Sequence, residues 1–145
     1  MNFKDQKILT IYKKLLELYG PQGWWPLLSV KRNYHPKDYS FPTNSSQIFE
    51  ICLGAILTQN TNWNNVEKAL YDLKSKNLLG PKKIIKARKE IVLKAIKRSG
   101  YFNQKYKKII NFSEEFLGWK GKTPSRQDLL NIWGIGPETA DSILL

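Results

Sequence analysis

The chain has 145 residues, 41% of them hydrophobic, a net charge of +12 and a single cysteine, Cys52. That is enough apolar material for one core and too little for two, and a lone cysteine excludes a disulfide framework, a cysteine-ligated zinc site or an iron–sulfur centre within these residues. Lys4, Asp5 and Lys7 interrupt the N-terminus and no apolar run approaches membrane-spanning length, so no signal peptide, no membrane and a reducing, cytoplasmic setting are expected.

Apolar residues recur at helical spacing through most of the chain. Ile8, Tyr12, Leu15 and Tyr19 share one face of a first helix, closed by Gly20-Pro21. Residues 20–44 change character: glycines and prolines alternate with Trp24, Trp25, Tyr34, Tyr39 and Phe41, which reads as an ordered aromatic loop. A second helix begins near Asn44 or Ser45, presents Phe49, Cys52, Leu53, Ile56 and Leu57, and runs out at Gln59. Trp63, Val66, Leu70 and Leu73 define a third helix that stops at Gly80-Pro81. The basic stretch Lys82 to Arg98 reads as one helix ending at Gly100; Asn103 then caps a helix carrying Tyr106, Ile109, Ile110 and Phe116, broken at Gly118 to Gly121. Two short helices joined at Trp133-Gly134-Ile135-Gly136 complete an all-α chain. Its expected organisation is one domain, 1–145, made of a helix and aromatic loop (1–44), a helical bundle (45–124) and a helical hairpin (125–145).

Charge and motif point the same way. From Lys74 onward there are 16 Lys/Arg against 6 Asp/Glu, whereas residues 1–73 hold 8 against 6. Such a field attracts polyanions, nucleic acid foremost, although solvated helix faces in a lysine-rich chain are the plainer alternative. In Leu129-Leu130-Asn131-Ile132-Trp133-Gly134-Ile135-Gly136-Pro137-Glu138-Thr139-Ala140, two glycines flanking Ile135 allow a tight reversal, with Ile135 as the plug between helices. Pro137 fits the first helical position, so backbone N–H groups and the helix dipole face one way, as a phosphate cradle requires. An ordinary helical hairpin with a glycine cap is the alternative for a bare Gly-x-Gly.

This segment resembles the helix-hairpin-helix of the endonuclease III superfamily, and two upstream blocks match in order. Leu57-Thr58-Gln59-Asn60-Thr61 resembles the Gln-containing block of these enzymes, and Ser99-Gly100-Tyr101-Phe102-Asn103-Gln104-Lys105 resembles their Gly-aromatic-Asn-x-Lys turn. The resemblance implies double-stranded DNA with a damaged base as partner, contacted by Gln59, Tyr101, Asn103, Lys105, Gly134, Ile135, Gly136 and Thr139. Gln59 would fill the space left by a flipped nucleotide, and Tyr101 would wedge beside it. Gly23-Trp24-Trp25-Pro26 and the block from Phe49 to Thr61 resemble the 3-methyladenine glycosylases of the superfamily, which implies a pocket for cationic alkylated purines lined by Trp24, Trp25, Pro26 and Phe49; ordinary core packing is the alternative for these rings.

Glu138 departs from the bifunctional members, which place a Schiff-base lysine there, so the resemblance implies a monofunctional glycosylase using water. No metal, cofactor or protein partner is expected. The family's catalytic Asp would follow the helix opened by Pro137, so the chain is expected to be incomplete at its C-terminus, inactive alone, and to leave Ile8, Leu15 and Tyr19 exposed. A DNA-binding module without catalysis, or a glycosylase/lyase for oxidised pyrimidines, are the rival readings.

Overall fold

A computed structural model describes residues 3–20, 26–30, 38 and 40–144. Eight α-helices occur among them: α1 (Phe3–Tyr19), α2 (Ser45–Thr58), α3 (Trp63–Ser75), α4 (Pro81–Lys86), α5 (Lys89–Ile96), α6 (Phe102–Gly118), α7 (Arg126–Leu130) and α8 (Pro137–Leu144). The all-α class is as expected, and no described helix is long and apolar enough to cross a membrane.

Helix α2 is the axis of the fold because it is enclosed on every side: all nine residues from Phe49 to Leu57 are buried, and eight of them lack a charged or polar side chain. Asn44 starts it, its side chain accepting from the Gln47 amide at 3.1 Å. Helices α3, α6 and α8 pack around it. The Trp63 ring of α3 packs over Gly54, where a Cβ would stand in van der Waals contact with it at 3.4 Å. Leu53, Ile56, Leu57, Val66, Leu70 and Leu73 are sealed from water, each burial stabilising the fold by about 1.5–3 kcal/mol. Phe49, Phe112, Phe116 and Trp119 extend this core as an aromatic cluster, with Phe49 lying 6.2 Å from Phe112 and 5.2 Å from Phe116 between ring centroids.

Three boundaries differ from the sequence reading. Helix α3 ends at Ser75 rather than at Gly80-Pro81, because Asn77 takes left-handed backbone at φ 56. The basic stretch is two helices rather than one, because Ala87 and Arg88 adopt extended backbone (ψ 149 and 133) between α4 and α5, and a short 3-10 turn (Lys97–Ser99) follows. Helix α6 begins at Phe102, not after Asn103: Tyr101 takes the cap position in left-handed backbone and Asn103 lies inside the first turn. Helix α1 packs little against the rest, and Ile8, Leu15 and Tyr19 are exposed as expected.

The turn at 27–30 is fixed from both ends. The buried Glu50 carboxylate accepts from the Leu28 amide at 2.6 Å, and the Lys74 ammonium donates to the Leu28 carbonyl at 2.6 Å. Leu27 packs with Phe41 and Ile51 in a small satellite core.

Candidate nucleic-acid interface

The hairpin between α7 and α8 is built from local signals. Ser125 and Asp128 form a capping box at the start of α7, and the hydrogen bonds from Ser125 hold the Asp128 carboxyl below the usual carboxylate range. Arg126 binds Asp141 through two hydrogen bonds, at 2.6 and 3.1 Å, joining α7 to α8 on the surface. Gly134 reverses the chain with φ +91, and Ile135 and Ala140 are buried between the helices. The Ile135 amide donates to the Ile132 carbonyl at 3.0 Å, so Ile135 serves as the plug and its N–H is not free for a phosphate; this corrects its assignment as a direct DNA contact. Pro137 has no N–H, which leaves Glu138 and Thr139 as the first amides of α8, without intrahelical acceptors.

The C-terminus of α2 meets this hairpin. Asn60, with φ 55, turns the chain after Gln59, a conformation that asparagine tolerates better than most residues, and Asn62 caps α3. Gln59 is drawn onto the hairpin: its Nε2 donates to the Gly134 carbonyl at 3.1 Å and to Thr139 Oγ1 at 2.9 Å, while its Oε1 accepts from Lys108 Nζ. Between them lies a groove of about 630 Å³, lined by Gln59, Asn60, Lys108, Gly136, Glu138 and Thr139 among others. Glu138 is the carboxylate of that lining, and Asp141, held by Arg126, is not part of it.

Lys105 requires a correction. It is buried rather than turned to solvent, and its ammonium donates to the Leu57 carbonyl at 2.8 Å and the Ser99 carbonyl at 2.5 Å. Burial, reinforced by the charge of Lys108, pushes it down to about 8. It therefore ties the end of α2 to the turn before α6. Gln59 stands two residues beyond one anchor and Tyr101 two residues beyond the other, so one buried cation fixes both. Tyr101 is 67% exposed with φ 45, directly after Gly100 at φ 70. Asn103 is exposed near it.

The pocket residues fare differently. Trp24 and Trp25 lie outside the described residues, and Pro26 is half-buried beside the turn at 27–30. Phe49 is 1% exposed and offers no free face; the structure puts it in the core, the other reading its sequence context allowed. Sequence reasoning missed Lys108, although its spacing of three from Lys105 puts both on one helix face, and Trp133, an aromatic left 57% exposed beside the hairpin. Among the described residues no group of three or more His, Cys, Asp or Glu could hold a metal.

The hairpin, the groove and the two turns define a helix-hairpin-helix repair fold, and the chain belongs to that family: the sequence profile described as HhH-GPD superfamily base excision DNA repair protein matches residues 53–137. A Methanocaldococcus jannaschii protein provisionally named a DNA repair glycosylase is 36% identical over 153 residues, covering 98% of this chain and 61% of that protein. Endonuclease III of Thermotoga maritima is 32% identical over 112 residues, covering 72% of this chain and 50% of that one. Among solved structures, the H. pylori 3-methyladenine DNA glycosylase bound to 1,N6-ethenoadenine matches with a TM-score of 0.61 at 32% identity, over 71% of this chain and 56% of that chain. The chain thus spans between half and about three fifths of the length of these relatives.

Proposed function

We propose that this chain supplies the DNA-gripping and duplex-opening part of a cytoplasmic base-excision DNA glycosylase that is monofunctional and removes alkylated purines such as 3-methyladenine. The observation that carries the reading is the Lys105 tether, which holds Gln59 and the exposed Tyr101 on two turns fixed to one another, beside a groove rimmed by the hairpin. A pair of side chains held in this way suits entry into a duplex: one fills the space of a displaced nucleotide and the other props the neighbouring stack. Asn103, Gly134, Gly136 and Thr139 flank them, and the first amides of α8 favour phosphate.

Glu138 supports the monofunctional assignment. A carboxylate cannot form the imine with sugar C1′ on which strand cleavage depends, so base release here would use water. The alkylated-purine assignment draws on the likeness to the H. pylori enzyme and on Trp24, Trp25 and Pro26 as stacking surfaces for a cationic ring.

The test uses a protein that carries this chain together with the acidic residue expected after the helix opened by Pro137. It is incubated with duplex DNA carrying N-methylated purines, with released bases measured by chromatography and strand breaks by denaturing electrophoresis. Free 3-methyladenine with intact strands is the expected result. Strand cleavage with a borohydride-trapped adduct would replace this reading by the lyase, and duplex binding without base release would replace it by the binding module.

A further inference from the structure

Gln59 is the residue assigned above to the space of a displaced nucleotide, yet its amide is already occupied. Both Nε2 protons go to the hairpin, to the Gly134 carbonyl and Thr139 Oγ1, and Oε1 takes the Lys108 ammonium. An amide has two donors and two acceptor positions, so only one acceptor position is left for a base edge. The Lys108 stem also lies across Gly134, where an added Cβ would stand 2.4 Å from its Cγ. One lysine therefore holds both the reversal of the hairpin and the amide packed against it.

We propose that Lys108 and Thr139 are the positioning residues of Gln59: they keep its amide folded onto the hairpin, and it turns outward only where the edge of an unpaired base competes for it. The proposal rests on the reading of Gln59 as partner of an orphaned base, and adds the groups that decide when Gln59 is available. The two bonds from Nε2 are neutral and the edge of an unpaired base can replace them one for one, whereas the bond from the Lys108 ammonium is charge-assisted and sets the cost of release. Lys108 is placed to hold the amide, half-buried and lining the groove, whereas Lys105, one turn earlier, is sealed in the core.

The experiment measures binding of the 145-residue chain to two duplexes at one salt concentration by fluorescence anisotropy. One duplex is intact and the other carries a tetrahydrofuran abasic-site analogue opposite an unpaired adenine. The quantity read is the ratio of affinities, abasic over intact, which cancels any uniform loss of phosphate attraction. Lys108→Met keeps an unbranched stem over Gly134 and removes the ammonium; it should weaken binding to both duplexes yet raise the ratio on the order of tenfold to a hundredfold, the worth of one charge-assisted hydrogen bond. Thr139→Val should move the ratio the same way, and Lys108→Arg, which restores a donor, should bring it back toward the wild-type value. Without DNA, the Gln59 side-chain amide signals should shift in the ¹⁵N–¹H spectrum of Lys108→Met. A wild-type preference for the abasic duplex that disappears in Gln59→Ala, but is unchanged or lowered in both Lys108→Met and Thr139→Val, overturns the proposal and leaves the reading of Gln59 intact. No preference in any of these proteins overturns that reading and the proposal together.

Discussion

Replacing Lys105 by methionine tests whether a buried cation holds the two turns together. The ammonium makes hydrogen bonds of 2.8 and 2.5 Å to the carbonyls of Leu57 and Ser99. Each charge-assisted bond contributes about 1.5–3 kcal/mol, which sets an upper bound of about 6 kcal/mol for the pair. Part of this returns on substitution, because the variant no longer desolvates a charge, the same desolvation that lowers Lys105 from 10.5 to about 8. A net loss of about 2–3 kcal/mol remains, since methionine fills the channel but leaves two buried carbonyls without a donor. For a domain of this size that corresponds to a fall in melting temperature of roughly 4–12 °C. Thermal unfolding followed by circular dichroism at pH 7 gives the number directly. The slope of log affinity for duplex DNA against log salt should stay at the wild-type value, because a buried cation releases no counterion, whereas a phosphate-contacting lysine would lower it by about one. A melting temperature within a degree of wild type, together with a reduced slope, would refute the tether and return Lys105 to the DNA surface.

The same lysine has a pH signature. Between about 8 and 10.5 the unfolded chain holds a proton on Lys105 that the folded chain releases, so stability gains with rising pH across that window, and the gap between wild type and Lys105→Met should widen; a narrowing gap in denaturant titrations contradicts the lowered value. The two hairpin glycines should behave differently. Gly134→Ala combines a φ of +91 with a clash against Lys108 and should cost about 1–2 kcal/mol of stability, whereas Gly136→Ala meets open space and should leave the melting temperature unchanged while weakening duplex binding severalfold. Equal melting temperatures for both would remove the Lys108 contact with Gly134. Burial pushes the Cys52 thiol up to about 12, so at pH 8 a disulfide reagent should label it only as fast as the fold opens; rapid labelling of the native chain would show α2 exposed.

Local chemistry was legible in the sequence, and long-range chemistry was not. Asn44 and the Gly134–Pro137 reversal act through neighbours within a few residues, so a cap or a turn could be read from the residue types alone, whereas Asn103, read as a cap, lies inside α6. Lys105 reads as a surface cation because lysine is seldom buried, and nothing near it in sequence announces an acceptor 48 residues away at Leu57. Lys108 was missed for the same reason: its partners are Gln59 and the left-handed Gly134, brought to it only by packing. Phe49 illustrates a different limit. An aromatic on a largely apolar helix serves a core or a pocket equally well on paper, and Phe112 and Phe116, more than sixty residues later, decide its place. The split of the basic stretch at Ala87 and Arg88 has no glycine or proline to mark it.

Tyr101 sits at φ 45 and ψ 32 with its ring in solvent, a backbone that costs roughly 1–2 kcal/mol for a residue other than glycine, and the fold carries that cost before any DNA arrives. A ring mounted on so constrained a turn does not have to find its pose during an encounter. In the reading proposed here it acts as a stiff probe: drawn along a duplex, it pushes on every stack alike and advances only where the stack gives way. A compliant probe would bend at each step and report nothing. On that reading the strained turn would set a threshold for inspection, and relaxing it would blunt the difference between an undamaged stack and a weakened one.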